Sequence, residues 1–163
     1  MSELKNVLLV TTMDTKGEEA HFLDVCLREA GVNAMILDAG IMGLSSRPVA
    51  VSREDVARAA GSKLSDVQAL GHEGKALEVM ISGAVKHAMQ FYQEGRISGV
   101  IGLGGSMGTT LGSAVMRAFP IGFPKVLIST MASRNTRPFI GTSDILMLHS
   151  VCDLSGLNLI TRK

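Results

Sequence analysis

The sequence predicts an α/β fold, a three-layer αβα arrangement around a mostly parallel five-stranded sheet. Short, almost continuous apolar runs alternate along the chain with segments of helical periodicity, and such runs are typical of parallel strands buried on both faces. The composition agrees, since 46% of the 163 residues are hydrophobic, 18 are glycine and 4% are aromatic. This length suits a single domain, residues 1–163, with a sizeable core.

The first half of the chain begins with a strand over residues 6–11. A helix follows it, because Thr15 and Glu18 form a capping-box pattern and Gly31 ends the helical periodicity. Residues 33–38 form the second strand. Together these elements predict a strand, a crossover helix and a second, parallel strand.

The second crossover is long and contains several elements. Residues 39–51 form a loop that is long for its type, which favours a role in function or at an interface, with Ser45, Ser46 and Arg47 facing a ligand, beside the default of a solvated loop. A short helix over residues 53–60 begins at the cap formed by Ser52 and Asp55. Residues 64–70 fit either a helical turn or a loop. His72 and Glu73 then precede the longest helix, over residues 75–94; they are either acid/base groups, for which the sequence shows no partner, or, by default, part of a surface turn.

The most informative segment, residues 97–110, reads ISGVIGLGGSMGTT. It predicts a buried strand, a glycine turn and a helix over residues 109–117. The first backbone N–H groups of a helix have no internal partners and carry partial positive charge, so this arrangement suits an anion. The predicted anion-binding residues are Gly104, Gly105, Ser106, Gly108 and Thr109. The alternative is a glycine turn that only lets a helix pack closely on the sheet.

This segment matches neither of the two common phosphate-binding motifs. A P-loop ends in Gly-Lys-Ser/Thr, whereas Gly108 is followed by two threonines and no lysine. The dinucleotide fingerprint is G-x-G-x-x-G, and Gly102, Gly104 and Gly108 give a spacing one residue too long. G-G-S-M-G around Ser106 also resembles a nucleophile elbow only loosely, because His149 and the nearby aspartates do not follow in a fitting order.

A second polar loop, at the end of the first strand, is expected beside the glycine turn. In the common strand order 2-1-3-4-5, ligands bind where the order reverses, between strands one and three. The loop residues predicted to approach a bound phosphate there are Thr12, Asp14, Thr15 and Lys16. An aspartate at that point can hold Mg²⁺, so Asp14 is the predicted metal ligand.

The last third of the chain adds two strands, over residues 125–130 and 144–149. The connection between them, residues 131–141, carries Arg134 and Arg137. These side chains either grip a carboxylate or phosphate of a ligand or remain surface charges. Residues 154–163 are expected to form a short helix or an apolar tail that favours self-association.

Composition argues against several classes of partner. The net charge of +1 gives no reason to expect nucleic acid, and no apolar run or signal peptide indicates a membrane. Cys26 and Cys152 lack metal-ligand spacing and are expected to be buried, reduced thiols. We therefore expect a cytoplasmic protein.

Four stretches carry a resemblance to a known family. They are VLLVTTMDTKGEE, ISGVIGLGGSMGTTLGSAVMRAFPIGFPKVLIST, MASRNTRPFIGTSDI and HSVCDLSGLNLITR. Together they resemble the Tm-1-like family (UPF0261) over nearly the whole chain. The resemblance implies a Rossmann-like N-terminal domain that binds ATP, followed by a second α/β domain that would begin near residue 163.

The expected function is therefore ATP binding, with or without Mg²⁺, by a domain that forms a homo-oligomer (dimer) or pairs with a separate C-terminal domain. The alternative is an enzyme, or half of a split enzyme, that acts on a phosphorylated or carboxylated metabolite. A protein-interaction domain, as the resemblance implies for plant members, is a third possibility. NAD(P) competes with ATP, but the strand after the glycine turn ends in Ser129 and Thr130 without the acidic residue that would hold a ribose.

Overall fold

The computed structural model describes residues 5–43 and 47–150. Its centre is a sheet of five strands in the order β2-β1-β3-β4-β5, and every neighbouring pair is parallel. The predicted fold class and strand order are confirmed. The strands are β1 (Lys5–Thr11), β2 (Val32–Asp38), β3 (Val100–Gly104), β4 (Lys125–Ser129) and β5 (Leu146–His149).

Helices connect the strands, as parallel pairing requires. The longest helix begins at a cap in which the His72 ring accepts a hydrogen bond from the Lys75 N–H. The Ser52 hydroxyl accepts from the Asp55 N–H, which confirms the predicted cap. The helices are α1 (Met13–Glu29), α2 (Arg53–Ala59), α3 (Leu64–Gln68), α4 (Glu73–Gln93), α5 (Ser106–Arg117) and α6 (Arg137–Ile140), with a 3₁₀ turn over Thr130–Ser133.

The two faces of the sheet are covered unequally. The larger core lies on the side of α4 and α5, where Leu8, Leu127 and Met116 are fully buried. A smaller cluster lies on the side of α1, around Leu9 and Leu103. The three layers are therefore present, and most of the buried apolar area lies on one side of the sheet.

Several boundaries differ from the sequence predictions, and three of these differences matter for the rest of the structure. Helix α1 begins at Met13, before the predicted capping box, and the Thr15 hydroxyl contacts the Thr12 hydroxyl at 2.8 Å. Helix α5 begins at Ser106 instead of Thr109. Glycines weaken an isolated helix, so the sequence did not predict helix at this point, but close packing requires glycines here. The connection after β4 contains a 3₁₀ turn and α6, whereas the sequence predicted only a loop.

Several predictions concern residues outside the described ranges. They include Ser45 and Ser46, Cys152 and the expected helix or tail over residues 154–163. Cys26 is half-buried in α1. Within residues 5–43 and 47–150, no helix has the length and apolar character needed to cross a membrane.

Candidate functional site

A cavity of about 290 Å³ lies at the carboxyl ends of β1 and β3, where the strand order reverses. The junction of β1 with the first turn of α1 contributes Thr12, Asp14, Thr15 and Lys16, and the junction of β3 with α5 contributes Gly104, Gly105, Ser106 and Gly108. Eight of the ten predicted site residues therefore line one cavity. This is the position at which open parallel sheets bind their ligands.

Close packing explains most of the glycines around the cavity. A Cβ atom on Gly104 would lie 2.7 Å from the Gly108 Cα, and one on Gly108 would lie 3.0 Å from the Leu103 carbonyl oxygen. The alternative predicted for the turn, close helix–sheet packing, is thus a real role of these two residues. Gly105 is different, because a Cβ there meets only the Thr130 hydroxyl, at 3.9 Å.

The beginning of α5 presents unpaired backbone donors to the cavity. The first helical hydrogen bond runs from the Thr109 N–H to the Gly105 carbonyl, at 2.8 Å, and no side chain caps the helix. In the described part of the chain, the N–H groups of Ser106, Met107 and Gly108 have no partner. They form the kind of donor set that binds phosphate and carboxylate groups.

Asp14 faces the same cavity with half of its carboxylate unsatisfied. Its Oδ2 accepts a hydrogen bond from the Met42 N–H at 2.6 Å. Its Oδ1 is buried and has no hydrogen-bond partner among the described residues. Because a buried carboxylate oxygen is costly without a partner, Asp14 is suited to a cation or to a donor on a ligand.

A buried ion pair between Asp38 and Arg53 fixes the loop after β2, whose Met42 N–H donates to Asp14. The two side chains are nearly inaccessible, and Arg53 Nε lies 3.3 Å from Asp38 Oδ2. Asp38 Oδ1 also accepts from the N–H groups of Met13 and Gly40, at 2.9 and 2.8 Å. Arg53 Nη1 donates to the carbonyl oxygen of Met42 at 2.8 Å. The pair therefore joins the ends of β1 and β2 to the cavity wall.

Two predicted site residues do not line the cavity. Thr109 is fully buried, and its hydroxyl contacts the Gly105 carbonyl oxygen and the Ser129 hydroxyl, each at 2.6 Å. It is a packing residue because α5 begins three residues earlier than predicted. Arg134 lies on the exposed connection after β4. Lys16 lines the cavity in a non-helical conformation that kinks α1, and it pairs with Glu19 at 3.6 Å.

Four further residues line the cavity and were not predicted as site residues. They are Ile41, Met42, Glu73 and Met107. The length of the 39–51 loop was a signal for the first two. Nothing in the sequence indicated that Glu73, the first residue of α4, would face the glycine turn, because that contact depends on how α4 packs across the sheet.

The donor set fits a Mg²⁺ ion that is bound together with phosphates. Among the described residues, no group of three or more His, Cys, Asp or Glu side chains is arranged to hold a metal. Mg²⁺ keeps several waters and is commonly held by one or two carboxylates plus substrate phosphates. Asp14 lines the cavity together with the first residues of α5, and its carboxylate would supply such an oxygen. The ion would also separate the Asp14 charge from the phosphates.

The fold and this cavity define a class: an α/β protein with a Rossmann-like three-layer fold and a polar cavity at the switch point of its sheet. The chain belongs to the UPF0261 family, because residues 5–163 match the family described as "Uncharacterised protein family (UPF0261) N-terminal domain". This confirms the resemblance found in the sequence.

The curated relatives are longer proteins. A UPF0261 protein of Clostridium tetani is 38% identical over 98% of this chain and 39% of its own length. A UPF0261 protein of Rhizobium meliloti is 36% identical, with the same two shares. The "ToMV susceptible protein tm-1(GCR26)" of Solanum lycopersicum is 34% identical over 99% of this chain and 23% of its own length. The chain thus spans 39% of the bacterial relatives.

Proposed function

We propose that this chain binds the phosphates of ATP, with Mg²⁺, in the cavity between the β1–α1 loop and the start of α5. One observation carries the proposal: three unpaired N–H groups at the start of α5 and the Asp14 side chain, which has one carboxylate oxygen without a hydrogen-bond partner among the described residues, line a single cavity. The donors suit phosphate oxygens, and the Asp14 oxygen suits the accompanying cation. Lys16, Thr12, Thr15 and Ser106 add polar groups around the phosphates.

The end of β4 favours ATP over a nicotinamide dinucleotide. Dinucleotide-binding folds hold a ribose hydroxyl with an acidic residue at the end of the strand that follows the glycine motif, and here that strand, β4, ends at Ser129. Asp38 ends β2, but its Oδ1 accepts from Met13 and Gly40, and its Oδ2 is paired with Arg53. A ribose would have to compete with this buried ion pair.

Calorimetric titration with ATP, ADP, NAD⁺ and inorganic phosphate, each with and without Mg²⁺, tests the proposal. We expect ATP to bind with a requirement for Mg²⁺, and to raise the melting temperature by mass action. Gly105→Val is the decisive variant, because a Cβ atom there meets only the Thr130 hydroxyl, at 3.9 Å, so that the fold leaves room for a side chain at this position. We expect it to remain folded and to lose binding.

Thr110→Ala is the matched control, since Thr110 lies on the same helix and its hydroxyl only back-bonds to the Ser106 carbonyl. It should bind ATP normally. Equal binding by Gly105→Val and the original protein would contradict the site. Tighter binding of NAD⁺ than of ATP would contradict the choice of nucleotide.

The partner that we propose is an additional polypeptide region like the one that the longer relatives contain outside the part matched by this chain. On the α1 side of the sheet, Leu146 pairs with Val126 and Leu148 with Ile128, and the two leucines are 57% and 47% exposed. Helix α1 covers this face over β1 and β2. Exposed apolar patches of this kind mark interaction surfaces.

Hydrogen exchange in the full-length Clostridium tetani relative tests the partner. We expect the strand equivalent to β5 to be protected in the full-length protein and to exchange faster in a fragment equivalent to this chain. A stable dimer of this chain by light scattering, lost in Leu148→Asp, would instead assign the surface to a second copy.

A further inference from the structure

A second cavity, of about 260 Å³, lies beside the edge strand β2 on the α1 side of the sheet. It is nearly as large as the cavity at the glycine turn, and the ATP binding proposed for that turn does not involve it. Ala34 and Ile36 of β2 give it an apolar wall of half-buried side chains, while α1 and residues 47–50 provide the other walls.

A buried carboxylate orients one of the two arginines in this cavity. The Asp24 side chain is only 9% exposed, and it holds Arg28 at two points, with Nε–Oδ1 and Nη2–Oδ2 distances of 3.0 Å. The Arg28 side chain remains 65% exposed. A guanidinium fixed in this way keeps outward N–H donors in a defined plane, which reduces the entropy lost when it binds an anion.

Arg47 gives the cavity an excess of positive charge. It lies in the wall formed by residues 47–50 and is exposed, whereas Asp24 neutralises only the Arg28 guanidinium. His21, one turn before Asp24 on α1, adds an imidazole to the rim. The cavity therefore combines a cationic rim with an apolar wall.

We propose that this second cavity binds a small organic carboxylate with an apolar body. The carboxylate would accept hydrogen bonds from Arg28 and Arg47, which match its planar shape. The apolar body would cover Ala34 and Ile36. Inorganic phosphate would leave that apolar wall uncovered, so a free phosphate is the poorer match. This site is independent of the one proposed for ATP.

Three probes that share one body test the proposal: 3-phenylpropionate, its neutral amide and its amine analogue. Amide resonances of Ala34 and Ile36, followed by NMR during titration of the full chain, report directly on the cavity. We expect the carboxylate to shift these resonances, the amide to bind about tenfold more weakly, and the amine and inorganic phosphate to have no effect.

Substitutions of the arginines at the rim of this cavity test whether their side chains bind the carboxylate. Arg47→Gln, at an exposed position, should weaken the carboxylate about fivefold or more without affecting stability. Arg28→Lys keeps the charge but loses the two-point geometry and should also weaken binding. Arg58→Gln removes an exposed arginine on α2 and serves as the control, with unchanged binding expected.

Three results would overturn the proposal. The first is the absence of any shift at Ala34 and Ile36 with the carboxylate. The second is equal binding of acid and amide, which would reveal only apolar contact. The third is unchanged affinity in Arg47→Gln. None of them bears on ATP binding, which is measured at a different cavity.

Discussion

The Asp14 carboxylate packs directly against the backbone of Gly40. A Cβ atom at position 40 would lie 2.8 Å from both carboxylate oxygens of Asp14. The obstacle is the end of a side chain, which can move aside. The absence of a side chain at Gly40 therefore determines where the proposed metal ligand points.

Gly40→Ala should displace Asp14 and leave the fold nearly intact. We expect the free energy of unfolding to fall by about 1 kcal/mol. Affinity for Mg²⁺ in the presence of ATP should fall by about 10- to 100-fold, the usual effect of misplacing a group that orients a metal ligand. Calorimetry with Gly17→Ala as a control measures this, because a Cβ at Gly17 meets only Met13 Cε, at 3.8 Å. Wild-type affinity in Gly40→Ala would remove Asp14 from the metal site.

Gly83→Ala should be far more damaging, although it lies away from the cavity. A Cβ at Gly83 of α4 would lie 1.9 Å from the Val56 carbonyl oxygen of α2. Backbone cannot rotate away, so the two helices must separate, and we expect a loss of about 3 kcal/mol in unfolding free energy. Urea denaturation measures the loss. Gly17→Ala, on α1, should change stability little, because a Cβ there meets only Met13 Cε, at 3.8 Å.

Asp38→Asn should destabilise the protein and weaken the ATP site together. It leaves the buried Arg53 without its charge partner, which costs about 3–5 kcal/mol. It also loosens the hydrogen bonds that hold the Met42 loop against Asp14. Removal of the exposed ion pair by Arg58→Gln should cost less than about 1 kcal/mol. Similar losses for the two variants, measured by urea denaturation, would show that the Asp38–Arg53 pair does not anchor the loop.

Stability should fall in acid because of Asp144. A hydrogen bond from the buried Lys125 ammonium, 2.5 Å from Asp144 Oδ1, is the main cause that lowers the pKa of Asp144 below 3.8, and the Gly122 N–H assists. A carboxyl whose pKa is lower in the folded state stabilises the fold above its unfolded pKa. That contribution is lost as the pH falls through the folded value.

Urea denaturation between about pH 5 and pH 2 checks this dependence. Asp144→Asn should flatten the profile in that range. An identical acid profile in Asp144→Asn would mean that other carboxyl groups carry the effect.

The sequence predicted the fold well because the signals for it are local. Apolar runs of strand length and the periodicity of residues 75–94 are visible without tertiary information, and right-handed crossovers then restrict the strand order. The predicted start of α5 was wrong because the true start depends on tertiary packing. Gly104 and Gly108 approach each other too closely for any side chain, and this requirement is not visible in helix propensity.

The cavity was predicted only in part because half of its wall comes from distant contacts. The loops after β1 and β3 follow from strand order alone. Met42 reaches the site because Arg53, on another element, holds its carbonyl oxygen. Thr109 turns inward because Ser129 offers its hydroxyl a buried partner. Such pairings depend on the assembled sheet, not on spacing.

The backbone of Met42 is held from both sides, by Asp14 at its N–H and by Arg53 at its carbonyl, while its side chain is 65% exposed beside the cavity. Position 42 can therefore change residue without moving the frame around it. In evolution or in laboratory selection, we expect substitutions at position 42 to change which ligand the cavity accepts at little cost in folding, without altering the glycine turn.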